Sequence, residues 1–467
     1  MFYLLATFLS LTIYVQSFSV DDFGAIRDVD SAMAATRNAQ AFQKALMAAV
    51  SSETDREVLI PEFGVYFFSG ISAYDVSDIT VRVDGTLRFS DDFALWGTDS
   101  DSQLLFENTT DVVLTGKGTI DGQGLKWWRM TYTGTDNRPK LVRFRTTRNS
   151  EVSYLTFLNS PTFHVIFEDS ANVVIHDITI FVDSHLIRSV PTAHEGITYP
   201  LNTDGLDIRA TNVTVYNCNI TNYDDAIVAK PCQQTGKNCQ CSGNMLVYNN
   251  SITYSTGLTI GSVSPGDDVN CVRNVTFRDN YLFRPLKAIY IKPNPKREGD
   301  SGSGIIDQIS YENIRIEQAV WWTIWIGPQQ MNQPGEAEGT GCNFLFPFID
   351  ECPTQPLVSM TNIKLKNVTA VDTLPLFEGP GVILCDESLP CTRFDFSDVT
   401  NTMFEGNVTD IIEGLPWPVK PPGVVFPTMY RTDDWEFEYI TKNVYGNIVN
   451  TKPTPCFNDP DCFTDLY

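Results

Sequence analysis

The chain has 467 residues, with 33 Lys and Arg against 57 Asp and Glu and a formal net charge of -24. That balance excludes nucleic acid and anionic membrane surfaces as natural partners. The 42% hydrophobic content suffices for a large core, and repeat architectures hold chains of this length as one unit.

In chain order, residues 4–15 are apolar and lead into Val15-Gln16-Ser17, the form of a small-residue cleavage site before Phe18. Residues 1–17 therefore read as a signal peptide and the mature protein as secreted; no later run approaches the about 20 apolar residues of a spanning helix. Residues 34–50 place Ala41, Phe42, Ala45, Leu46 and Ala49 at helical spacing, which predicts a helix capping one end of a repeat array. From there to about residue 400 one phrase keeps returning, in 172–180, 212–220, 272–280, 309–316 and 360–368: alternating β-branched residues broken by Asn or Asp. Short period-2 strands recurring every few tens of residues predict an all-β, single-stranded parallel solenoid over 18–400. Residues 401–467 are Pro-rich and aromatic, and read as an extension packed on the outside of that solenoid.

All 11 cysteines follow residue 217, which suits an oxidising compartment. Cys342 with Cys352, Cys385 with Cys391, and Cys456 with Cys462 are spaced as small disulfide loops. Cys232, Cys239 and Cys241 form a fourth cluster, and the odd count leaves one thiol over. Sequons at Asn108, Asn212, Asn219, Asn249, Asn274, Asn367 and Asn407 are glycan acceptors in a secretory pathway, although Asn-Val-Thr also suits a solenoid turn.

Asn202-Thr203-Asp204-Gly205 and Asp224-Asp225 carry the chemistry. Twenty or so residues make about one coil, so Asp204, Asp224 and Asp225 are expected on one face, in rungs roughly 4.8 Å apart. Carboxylates that close cannot all ionise, and one is expected to keep its proton near neutral pH. This is the electrostatic requirement of acid/base glycoside cleavage.

With Val20-Asp21-Asp22-Phe23-Gly24-Ala25, with Gly118-Thr119-Ile120-Asp121-Gly122-Gln123-Gly124 before Trp127-Trp128, and with the aspartate motifs, the chain resembles glycoside hydrolase family 28, the polygalacturonases and their relatives, to about residue 380. The resemblance implies a right-handed parallel β-helix and inverting hydrolysis of pectin-type polysaccharide, by a monomer with no cofactor and no metal. It implies that Asp224 is the general acid and that Asp204 and Asp225 hold and deprotonate water. Acid and base in an inverting pair are usually roughly 6.5–9.5 Å apart, which is the separation expected here.

Three positions depart from the family pattern. Thr256 stands where the family has a histidine, and no His follows His194. Tyr290-Ile291-Lys292 replaces Arg-Ile-Lys; Asn202, Lys292 and Tyr290 are read as substrate-binding, Lys292 by pairing with a uronate and Tyr290 as an aromatic platform with one hydroxyl. Gln329-Gln330 stands near the family tyrosine. These changes leave two other readings open: a weak or inactive carbohydrate-binding protein on the same scaffold, or a hydrolase of rhamnogalacturonan or another modified pectin. Lys287, Lys296 and Arg297 read as a solvated basic loop. The loop 183–196 is a candidate source of a histidine for the cleft; Trp321, Trp322 and Trp325 alternate as core packing does, with one outward ring beside the cleft as the alternative, stacking on a sugar.

Overall fold

A computed structural model describes residues 17–459 except 97–100, 131–136, 184, 186–199, 233–234, 267–268, 298, 331–340, 343–345, 347–351, 375–378 and 407–436. The expected signal peptide, His194 and the sequon at Asn407 lie outside the described residues.

Thirty short strands pair almost wholly in parallel, each with the strand one coil earlier and one coil later. Three ladders result. One runs through Ile71–Tyr74, Ser102–Glu107, Lys140–Arg145, the first half of Val165–His176 and Leu206–Tyr216, then Ile227–Ala229, Leu258–Val263, Lys287–Pro293, Trp322–Ile326 and Gly381–Leu384. The architecture is the expected single-stranded right-handed parallel β-helix. Alternation along each strand sends every second side chain inward, where like residues stack: Phe106, Phe144 and Phe167 lie ring on ring at 4.7 and 4.5 Å.

The helix Ala32–Ser51 closes the N-terminal end. Ser31 caps it by accepting from the Ala34 N–H at 3.2 Å, which satisfies one of its open donors. Its buried face carries Ala34, Ala35, Ala41, Phe42, Ala45, Leu46 and Ala49, as the periodicity predicts. Asn38, also buried there, ties the helix to the first coils by donating to the carbonyls of Ile26 and Phe67.

The other end departs from expectation. The solenoid does not stop near residue 400: Ile440–Lys442 and Val444–Val449 add parallel rungs to Gly381–Leu384 and Cys391–Met403. Disulfides join Cys232 to Cys239, Cys241 to Cys271, Cys342 to Cys352 and Cys385 to Cys391. Cys456 is also disulfide-bonded, Cys462 lies outside the described residues, and the free thiol is the buried Cys218. No helix among the described residues is long and apolar enough to cross a membrane.

Candidate active site

The register of the first ladder assembles the site. Leu206 pairs with Ile227, Ile227 with Leu258, and Leu258 with Ile289. Counting back two residues from each places Asp204, Asp225, Thr256 and Lys287 in one column, with Asp224 a residue to the side. The coils close tightly here because Gly205 has no side chain: a Cβ would meet the Ala226 carbonyl at 2.3 Å.

One oxygen from each of Asp204, Asp224 and Asp225 lies within 4.8 Å of the others. This corrects the expected separation of an inverting pair, because stacked neighbouring rungs hold these carboxylates closer than the usual range. Asp204 and Asp225 are buried, at 2% and 1% exposure, whereas Asp224 is half-buried and the most open of the three.

Their surroundings differ sharply. Asp225 accepts from Thr256 Oγ1 at 2.6 Å and Thr259 Oγ1 at 3.0 Å on one oxygen, and from Lys292 Nζ at 2.9 Å on the other. Burial would raise its pKa, but Lys292, Lys230 and the hydrogen bonds from Lys292 and Thr256 together hold it below the usual carboxylate range. Among the described residues Asp224 accepts from two backbone donors, Asn202 at 3.2 Å and Asp225 at 2.9 Å. Burial and then the Asp225 charge push its carboxyl up, with Lys292 opposing. Burial, reinforced by Asp224, pushes Asp204 well above its usual range against the pull of Lys230. The cluster therefore holds one strongly stabilised carboxylate, Asp225, beside a coupled pair, Asp204 and Asp224, in which burial and the neighbouring negative charges favour one shared proton.

The other expected site residues occupy different places. Asn202 has a left-handed backbone, φ 58°, and its side-chain oxygen accepts from Arg138 Nη2 at 3.0 Å; its backbone serves Asp224. Lys292 is committed to Asp225. Tyr290 is 4% exposed, with Lys287 Nζ 3.8 Å and Lys292 Nζ 4.6 Å from its ring centroid, so most of the expected platform is taken up by two ammonium groups.

Lys287 is not a solvated loop residue. It is 1% exposed in a strand and caged by Tyr290, Trp321 and Trp325; burial and then Lys292 push its pKa well below the ordinary range. Trp321, Trp322 and Trp325 are all buried, so none is the outward ring. His185 is exposed and its N–H is bonded to Asp183. Lys296 and Arg297 are exposed as expected.

Sequence reasoning missed three groups. His164 is fully buried; its Nδ1 donates to the Asp204 carbonyl at 2.9 Å and its Nε2 accepts from the Ser160 N–H at 3.3 Å, which fixes a neutral tautomer. Thr259 is the second hydroxyl on Asp225. Lys230 lies 3.5 Å from Asp204 Oδ2 and pairs with the buried Asp207. The signal for the last pair was in plain view: single charges ending or interrupting the apolar runs 226–230 and 205–208.

The family model for glycosyl hydrolases family 28 matches residues 51–419. An exopolygalacturonase of Cochliobolus carbonum is 26% identical over 347 residues, 69% of each chain. A polygalacturonase of Juniperus ashei is 25% identical over 408 residues, 85% of this chain and 70% of that one. Among solved structures, endo-xylogalacturonan hydrolase from Aspergillus tubingensis superposes with a TM-score of 0.59 at 20% identity, over 80% of this chain and 90% of its own. Polygalacturonase from Erwinia carotovora ssp. carotovora gives 0.58 at 22%, over 86% and 99%. At these identities the two structures attest the fold, and the family match over most of the sequence attests the lineage: this chain belongs to glycosyl hydrolase family 28 and is a glycosidase that hydrolyses glycosidic bonds.

Proposed function

We propose that the protein is a secreted, monomeric enzyme that hydrolyses galacturonide bonds of pectin-type polysaccharide by direct, inverting attack of water. The observation that carries the mechanism is the split among three adjacent carboxyls. Asp224 is the most open of the three and its carboxyl is raised by burial and then by the Asp225 charge, as a proton donor to the leaving oxygen must be. Asp225, pinned by two hydroxyls and an ammonium, stays ionised as a base.

The short spacing supports a water held by two carboxylates. A water donating both hydrogens at about 2.8 Å spans acceptors roughly 4.6 Å apart, close to the 4.8 Å limit within the cluster. Asp204 and Asp225 would grip that water with a lone pair free for the anomeric carbon. Names among the relatives, exopolygalacturonase, polygalacturonase and endo-xylogalacturonan hydrolase, support a galacturonan backbone. Tyr290 in place of arginine favours a modified pectin as the second reading. In this scheme Asn202 and Lys292 shape the site by holding Asp224 and Asp225, and Tyr290 offers the sugar only its edge.

The test is reducing-end release from polygalacturonate, rhamnogalacturonan and xylogalacturonan, with NMR of the first-formed anomer. Asp224→Asn is expected to lower kcat by about 10²–10⁴-fold without loss of fold, and the product is expected to appear with inverted configuration. Unchanged activity in the variant would remove Asp224 from its role, and a retained anomer would rule out direct attack by water.

A further inference from the structure

Lys230 has no part in the acid/base scheme, yet it lies at the centre of the acidic cluster. It follows the strand Ile227–Ala229 and its side chain is 15% exposed. Its ammonium bonds to Oδ2 of Asp207, lies 3.5 Å from Oδ2 of Asp204, and sits 4.7 Å from the centroid of the Phe163 ring. The charged groups facing it are Asp207, Asp204, Arg209 and Asp225. The Asp207 side chain is fully buried.

Two oxygens on this network are unusual. Oδ1 of Asp204 and Oδ1 of Asp207 are buried with no hydrogen-bond partner among the described residues. A bare buried carboxylate oxygen costs desolvation energy that folds ordinarily avoid. A pair serving only to neutralise a core charge would account for Asp207, whose Oδ2 bonds to the ammonium, but not for a second carboxylate, Asp204, with its Oδ2 3.5 Å from the same ammonium.

We propose that Lys230 and Asp207 are positioning residues for the reaction. The buried carboxylate of Asp207 fixes the ammonium, and the ammonium holds Oδ2 of Asp204, so that the orientation of the Asp204 carboxyl within the aspartate cluster is set by this pair. The inference rests on the proposed role of Asp204 in gripping the attacking water. It also explains why a lysine ends an otherwise apolar strand: a neutral residue would let the Asp204 side chain rotate away from its negative neighbours.

The decisive variant is the double substitution Lys230→Met/Asp207→Asn, which removes both charges together and leaves neither buried alone. Its fold, followed by urea unfolding, is expected to match the parent. Its KM is expected to stay near the parent value, while kcat falls about 10²-fold, the scale of a roughly 1 Å misplacement. In protein labelled with ¹³C-aspartate, the Asp204 carboxyl is expected to titrate at higher pH, because loss of the Lys230 cation outweighs loss of the more weakly acting Asp207. Parent kcat, whatever the titration, would overturn the proposal and leave the pair a charge-balancing device. Lys230→Arg keeps the charge but alters its reach, and is expected to lose at least tenfold in kcat; full activity there would also count against positioning. Parent kcat in the double variant of an active enzyme overturns this inference alone, whereas a parent enzyme that hydrolyses none of the glycans overturns the functional reading on which it rests.

Discussion

At the scale of single residues, Thr256 shows what becomes of a site that lacks the family histidine. The hydroxyl donates to Asp225 at 2.6 Å, and unlike an imidazole it does so at every working pH. Thr256→Val removes a donor to the charged form and is expected to raise the Asp225 pKa by about one unit. The acid limb of kcat/KM then moves up by the same amount, while Thr256→Ser keeps the parent profile. An unmoved limb in the valine variant would show that Lys292 and Thr259 suffice. His164 gives a second case. Burial drives its pKa down from the model-compound 6.5 to about 4 despite its bonds to the Asp204 and Thr203 backbone. A folded-state pKa below the unfolded one means that the unfolded chain takes up the proton first. Stability is therefore lost as pH falls from about 6.5 towards 4, by on the order of 3 kcal/mol. His164→Gln is expected to flatten that part of the curve of unfolding free energy against pH; an identical slope in both proteins would mean that His164 is not buried neutral.

At the scale of elements, the turns hold the coils in step as much as the strands do. Asn274 donates to Asn244, Asn244 to Asn212, Asn212 to Asn172, Asn172 to Asn149 and Asn149 to Asp111, each at a left-handed backbone position between φ 51° and 58°. Asn tolerates that conformation and bonds along the stack, whereas other side chains strain there. Asn212→Ala is expected to cost about 2 kcal/mol, the backbone strain plus the broken rungs, and Asn212→Gly about half that, read as urea midpoints. Equal losses would assign the whole effect to the ladder. The recurring Asn-Val phrases made this solenoid and its helix cap legible in the sequence, because period, β-branching and turn residue all point to the same architecture. The aspartate cluster was legible for the same reason, since a coil length converts directly into a register. The burial of Tyr290 was not, and the alternation that suits the three tryptophans to the core left open whether one ring turned outward. An aromatic on a ladder of continuous apolar strands is covered or bare according to what the loops lay over it. Nor was the continuation past residue 400, where rungs 440–442 and 444–449 resume after a stretch whose composition breaks the repeat.

For the whole molecule, the net charge of -24 sets the enzyme against its own proposed substrate, since a galacturonan is a polyanion. The cations nearest the aspartate cluster do not relieve this: Lys292 is bound to Asp225, Lys230 to Asp207, and Lys287 is sealed among three rings. Approach is then governed by like-charge repulsion, which reaches about 30 Å at 0.01 M salt and about 8 Å at 0.15 M. The Michaelis constant for polygalacturonate is expected to fall several-fold between those two salt concentrations, with kcat unchanged, because screening acts on encounter while the chemistry is buried. A substrate whose carboxyls are methyl-esterified is expected to show almost no salt dependence. Initial rates on both substrates across that range check the point. A KM that rises with salt would mean that a cationic surface guides the polymer in despite the overall charge, and would direct the search for the uronate contact to the basic loop at Lys296 and Arg297 rather than to the column of buried lysines.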